Sequence, residues 1–324
     1  MDGFVPAFDF HRVFVEPWLS DPAGYAWIAV MAVLVTTSCG LLGCYLILRR
    51  MALVGDAISH SILPGMAVAF LLSNSRDPFV MSVGAGVAGL LTTWIIENIH
   101  GRTRLKQDAA IGITFSSLFA IGVILITMYA GKVDLDQECV LYGEIIWVPE
   151  FSYVELAGIE IAPQPVFVMG VVTLITVVLV VLFYKVLLVS SFDAGLAGSL
   201  GYNPRVVHYL MMSVLAVVVV SAFESVGAIL VIAMLILPGA TAYLLTDRFP
   251  IMLSYTVVHA LISSLLGLHL GIWWDCSMAG AMVVAGMILF LLAWVFNPAQ
   301  GLAWRPFRHK AAEAIELPGA VLPE

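Results

Sequence analysis

An acid and an imidazole stand four residues apart in the segment Gly55-Asp56-Ala57-Ile58-Ser59-His60-Ser61-Ile62-Leu63-Pro64-Gly65. On a helix, that spacing stacks Asp56 and His60 on one face, about 6 Å apart along the axis. A carboxylate and a neutral imidazole so placed can grip one divalent cation. The same two side chains can also simply bond each other, and the residues alone leave both readings open. Metal binding needs the neutral imidazole, so it would release a proton and weaken as pH falls. Oxygen and nitrogen donors without thiolate favour Mn(II), Fe(II) or Zn(II) over Cu(I). Two ligands are few for a firm site, and a second subunit facing the first across a shared axis would double them. Pro64-Gly65, just beyond, is expected to loosen the helix and free carbonyls towards a cavity.

Other ionisable residues are weaker candidates. Glu224, in Ser221-Ala222-Phe223-Glu224-Ser225-Val226-Gly227, falls where two apolar runs meet, and is either a metal contact along the route inward or a solvated turn residue. His259 lies in the middle of an apolar run, where bonding to a neighbouring helix is the expectation. Glu97 and His100 end another run, where solvation would account for them. Cys39 and Cys44 would sit about 140° apart around one helix and cannot readily share a ligand. Cys139 and Cys276 fall on one predicted side and are expected as free thiols, with a disulfide between them left open. The sequence contains no Gly-x-x-x-x-Gly-Lys-Ser/Thr, no His-Glu-x-x-His and no Gly-x-Ser-x-Gly, so an enzyme reading has little to stand on. Nothing points to nucleic acid or to a permanently bound cofactor.

The elements that must hold these residues are membrane spans. Of 324 residues, 61% are hydrophobic and 11% charged, against roughly 25% charged in soluble domains. Crossing a bilayer takes about 20 apolar residues in a helix. Nine runs of suitable length occur: Ile28–Leu48, Ala52–Leu72, Pro78–Ile96, Ala109–Ala130, Val166–Tyr184, Val206–Phe223, Val226–Thr246, Ile251–Ile272 and Cys276–Phe296. No ten-residue segments alternate with period two, which argues against a β-barrel. The reading is therefore an all-α polytopic membrane protein, and ionisable residues within its spans are functional candidates by default.

Placing the N-terminus outside puts eleven of the 14 Lys and Arg on the inner side, from Arg49 and Arg50 through Lys310, and leaves Arg12, Arg76 and Lys132 outside. That bias supports nine spans with a cytoplasmic C-terminus. Acidic residues gather outside, in 1–27 and in the loop Gly131–Pro165, either to attract cations or simply because acidic residues cross membranes more easily than basic ones. No cleavable signal peptide is evident. The expected division is an extracytoplasmic or interfacial segment 1–27, a transmembrane domain 28–296 in the cell membrane, and a partly disordered cytoplasmic tail 297–324. Small residues at Ser82–Gly86 and Ala85–Gly89 are expected to let helices approach closely.

Several stretches together resemble the permease subunits of the manganese/zinc/iron ABC importer family. They are Gly55–Gly65; Gln107-Asp108-Ala109-Ala110-Ile111-Gly112-Ile113; Leu141-Tyr142-Gly143-Glu144; Ser191-Phe192-Asp193-Ala194-Gly195-Leu196-Ala197 with Gly201; and Leu237-Pro238-Gly239-Ala240-Thr241-Ala242. The resemblance implies an ATP-driven importer of Mn, Zn or Fe. Its partners would be a cytoplasmic ABC ATPase, an extracytoplasmic metal-binding protein and a second permease subunit. It makes Asp56 and His60 the metal-contacting pair. It also makes Phe192, Asp193, Ala197 and Gly201 part of the element that docks on the ATPase, with Gly201 allowing a tight turn. The outer loop around Tyr153–Pro165 is longer than that family's minimum and looks like one of two unlike permeases, so homodimer and heterodimer both stay open. The competing expectations are an ion-gradient-driven secondary transporter, with Asp56 and His60 as a proton relay, and a permease for bulky metal chelates.

Overall fold

The computed structural model describes residues 6–74, 78–129, 145–156 and 159–297. Among them, nine helices are long and apolar enough to cross a membrane, so the chain is a multi-pass membrane protein. The long helices are α1 (Pro22–Leu48), α2 (Val54–Ser73), α3 (Pro78–Arg102), α4 (Gln107–Tyr129) and α5 (Gln164–Leu182). Two short helices follow, α6 (Tyr184–Phe192) and α7 (Ala194–Ser199), then α8 (Pro204–Leu245), α9 (Phe249–Trp274) and α10 (Met278–Phe296).

Helix α8 supplies two of the spans. A straight helix of its 42 residues would run about 63 Å, twice the roughly 30 Å of a hydrocarbon core. It breaks at Gly227, whose φ of 75° and ψ of 166° only glycine adopts without strain. The two limbs, Pro204–Phe223 and Ser225–Leu245, double back. His208 on the first limb meets Arg49 at the end of α1, and Gly239 on the second packs against Gly43, Cys44 and Ile47 of the same helix. Both open ends of α8 thus lie at the Arg49 end of the bundle, with Gly227 at the apex.

Helix α1 is the core of the molecule. Met31, Val35, Cys39, Cys44 and Tyr45 are fully buried, and α8, α9 and α5 surround it. With no hydrophobic drive between helices in lipid, close approach depends on small residues and buried polar bonds. A side chain at Gly43 would collide with the Leu235 carbonyl. Thr36 Oγ1 bonds Ser264 across to α9 at 3.1 Å. Helices α2, α3 and α4 form a second group beside this core. There Gly65 faces Gly84 backbone to backbone, and Gly122 leaves room for Pro64, whose ring a Cβ would meet at 2.8 Å.

The structure departs from the sequence expectations at several points. The first span starts at Pro22, capped by Asp21, which accepts a hydrogen bond from the Gly24 amide at 2.9 Å. Part of the outer loop is ordered as a 3-10 turn, Ile145–Glu150, and an antiparallel hairpin of β1 (Tyr153–Leu156) with β2 (Ile159–Pro163). Gly89 packs on Ile58 and Ala216 as its spacing suggested, but Gly86 meets nothing within 4 Å. It lines a cavity of about 400 Å³ instead. The tail beyond Asn297 and the Cys139 partner question lie outside the described residues.

Candidate metal-transport site

Asp56 and His60 lie in the first two turns of α2, reached through a tight reversal after α1. Arg50 takes a left-handed φ of 59° there. The Arg50 amide donates to the Ile47 carbonyl and the Met51 amide to the Leu46 carbonyl, at 3.0 and 2.8 Å. This is the paired closure that commonly ends a helix, with arginine where glycine is usual. The buried Met51, Val54 and Ile58 fix the start of α2 against the core. That fixes which way the Asp56–His60 face points.

His60 Nε2 stands 3.4 Å from Asp56 Oδ1, and the side chains keep 28% and 38% of their exposure. The pair therefore opens on the outside of the single chain. Phe115 and Phe119 of α4 wall the imidazole, with ring centroids 5.0 and 5.6 Å away. Among the described residues no cluster of three or more His, Cys, Asp or Glu side chains could hold a metal ion. Among the described side chains this site brings together two candidate ligands. The helix does not open at Pro64-Gly65. It runs on to Ser73, and the two residues line a groove of about 590 Å³ whose walls are almost wholly apolar.

The other candidates lie elsewhere. The backbone of Glu224 belongs to α8, just before the Gly227 break, and its side chain lies outside the described residues. His259 is buried and bonds the Gly286 carbonyl of α10 at 3.3 Å, the interhelical role expected of it. Glu97 is not a solvated helix end. It pairs with His208 at 2.7 Å, an interaction no local spacing announces because more than a hundred residues separate the partners.

At the same end of the bundle as Arg49, α6 and α7 meet at Asp193. Its carboxylate caps α7, accepting from the Gly195 and Leu196 amides at 2.8 and 3.0 Å. Ala197, within α7, is fully buried. Gly201 ends the helix with φ 86°, while the Tyr202 amide bonds the Ala197 carbonyl at 3.0 Å. Phe192, Leu196, Leu200 and Tyr202 are left as an exposed apolar patch. Single exposed hydrophobes are ordinary, but a cluster on a rigid turn is a feature of docking surfaces.

Comparison with known proteins follows the same architecture. The chain matches the ABC 3 transport family over residues 25–297. It is 41% identical over 283 residues to the manganese transport system membrane protein MntD of Bacillus subtilis, covering 87% of this chain and 95% of that one. It is 40% identical over 278 residues to the zinc transport system membrane protein TroD of Treponema pallidum, covering 86% and 75%. Among solved structures, a chain of PsaBC from Streptococcus pneumoniae, determined in complex with a Fab, superposes with a TM-score of 0.74 at 34% identity, covering 92% and 98%. A family match across most of the chain and relatives at this identity leave one assignment: the chain is a member of the ABC 3 transport family.

Proposed function

We propose that the chain is the membrane permease of an ATP-driven importer of a divalent transition metal, Mn(II) or Zn(II), with Asp56 and His60 as the pair that contacts the ion in transit. The observation that carries this reading is a half-exposed carboxylate and imidazole on one face of a spanning helix, in a chain whose relatives bear the names of manganese and zinc transport proteins. Ionisable side chains in such a place are costly unless a partner or cargo meets them. Bonds of about 2.0–2.1 Å in a tetrahedral shell separate neighbouring ligand atoms by about 3.4 Å, which the observed separation already matches. The ligand pair admits Fe(II) equally, and the relatives favour the other two metals.

Two ligands per chain call for more from elsewhere, and a second permease placing its own copy of the pair opposite supplies them. Whether that partner is identical or a related chain is a property of the assembled transporter. The N-terminus faces outward and the basic end inward, following the Lys and Arg bias. The Phe192–Gly201 turn then docks on a cytoplasmic ATPase, while an extracytoplasmic metal-binding protein delivers the ion to the Gly227 end.

The test is Mn(II) uptake into vesicles that carry the assembled transporter, with ATP supplied and proton and sodium gradients collapsed. Uptake that persists supports the ATP-driven permease. Uptake that vanishes when the gradients are removed identifies a secondary transporter instead.

A further inference from the structure

The Arg49 guanidinium gathers three elements at the inner end of the bundle. Its Nε donates to Ser191 Oγ at 3.0 Å and one terminal nitrogen to Ser190 Oγ at 2.8 Å, both on α6. The other terminal nitrogen meets His208 Nδ1 on α8 at 2.8 Å. An arginine can only donate, so Nδ1 must accept, and the ring proton sits on Nε2. Glu97 Oε1 on α3 lies 2.7 Å from that nitrogen, an ion-pair distance but not a hydrogen bond, because the ring N–H is not aligned on it. His208 thus stands between a cation and a carboxylate, and both its side chain and that of Glu97 are largely enclosed, with 15% and 19% exposure. Burial pulls the Arg49 guanidinium below its ordinary range, and Glu97 opposes that shift.

The position of this network in the chain gives it a consequence. Ser190 and Ser191 immediately precede Phe192 and Asp193, the start of the proposed ATPase-docking turn. On its other side Arg49 opens the rigid reversal that ends at Val54, and Asp56 is the second residue beyond. From docking turn to metal pair there are one hydrogen-bonded contact and one closed turn. The guanidinium fork holds α6 and α8 at once, in a geometry a flexible ammonium does not reproduce.

We propose that Arg49, set in place by His208 and Glu97, is a positioning residue that transmits movement of the ATPase-docking turn to the Asp56–His60 helix, so that losing it uncouples ATP hydrolysis from metal movement. The inference rests on the ATP-driven reading above. It adds a role for three residues that touch neither ion nor nucleotide.

The experiment measures Mn(II) uptake and ATP hydrolysis together in vesicles containing the full transporter, and takes their ratio. The wild type must first show ATP-dependent uptake; its absence counts against the parent reading, not this one. Two conservative variants then carry opposite expectations. Arg49→Lys keeps the charge but cannot serve α6 and α8 together, and its uptake per ATP falls about tenfold, within the range of ordinary coupling energies. His208→Gln keeps an acceptor for Arg49 and a polar group beside Glu97, and retains most of the wild-type ratio, whereas His208→Ala loses it. A wild-type ratio in Arg49→Lys overturns the proposal. So does a His208→Gln variant as uncoupled as His208→Ala.

Discussion

His60 Nε2 stops 3.4 Å from Asp56 Oδ1, while His208 Nε2 closes to 2.7 Å on Glu97 Oε1. Both are histidine–carboxylate pairs of one chain, and the difference lies in what surrounds them. The His208–Glu97 pair is enclosed, and Arg49 bonds the other nitrogen of its ring. Asp56 and His60 meet across one helical turn on an open face, longer than the 2.7–2.9 Å typical of a charge-assisted bond. That spacing is the one the proposed metal contact needs. Asp56→Ala and His60→Ala should each lower Mn(II) uptake by about a hundredfold, the upper end of losses seen when metal-site residues are removed. Because both side chains are half-exposed, the variants should still co-purify with the ATPase. Normal uptake in either would remove the residue from the path.

Protons compete for the same nitrogen. A protonated imidazole has no lone pair to give, so metal loading should weaken on acidification, and binding under acid conditions should release protons. Isothermal titration in two buffers of different ionisation enthalpy measures that release. His60→Ala should abolish it, and an unchanged proton count would place the titrating ligand elsewhere.

The docking turn depends on its cap. Asp193→Ala removes the acceptor of two α7 amides, at a cost of about 1 kcal/mol. The spans should remain folded, and association with the ATPase should weaken. Pull-down of the ATPase with Asp193→Ala and with Asp193→Asn, which restores a capping side chain, separates loss of the cap from loss of the charge. Equal recovery with wild type and both variants would contradict a docking role for this turn.

Cys276 reports the orientation. It is an exposed free thiol between α9 and α10, whereas Cys39 and Cys44 are buried. Partial burial and the neighbouring Asp275 carboxylate push the Cys276 thiol up from its ordinary value. The thiolate is the reactive form, so labelling should be slow at neutral pH and accelerate as pH rises. In a Cys139→Ser background, an impermeant maleimide should label Cys276 in intact cells. Labelling that appears only after permeabilisation would reverse the topology.

Gly227 makes two spans of one helix. Gly227→Ala forces a side chain into a φ of 75°, with a strain of about 1–3 kcal/mol. Thermal unfolding in detergent should start at a lower temperature than for wild type. Gly86→Ala, with open space around it, is the matched control and should be silent. Equal melting of the two variants would mean that the apex does not need glycine.

The sequence makes the spans legible because nothing but apolar length is needed to cross a bilayer, and the nine runs read from it overlie the nine spanning segments among the described residues, with ends that differ by up to about six residues. Asp56 and His60 are legible for a similar reason, since i and i+4 on a helix must share a face. Local patterns fail where partners are distant. Arg49 reads as one more inner-side charge, Glu97 as a helix end, and His208 carries no signal at all, until folding brings α1, α3 and α8 together. Pro64-Gly65 misleads in the opposite direction. Proline and glycine suggest an opening, but here Gly65 admits α3, Gly122 lets α4 close on Pro64, and the helix continues. The hairpin Tyr153–Pro163 is short and its pairing register contains a bulge, so alternation never runs long enough to announce a strand.

The most direct measurement is the hyperfine spectrum of Mn(II) trapped in the assembled transporter, which reports nitrogen bound to the ion. Wild-type protein should show a directly coordinated imidazole nitrogen, and His60→Gln should lose that coupling while the folded complex persists. A nitrogen signal unchanged by the substitution would mean that the ion rests elsewhere and that Asp56 and His60 bind only each other.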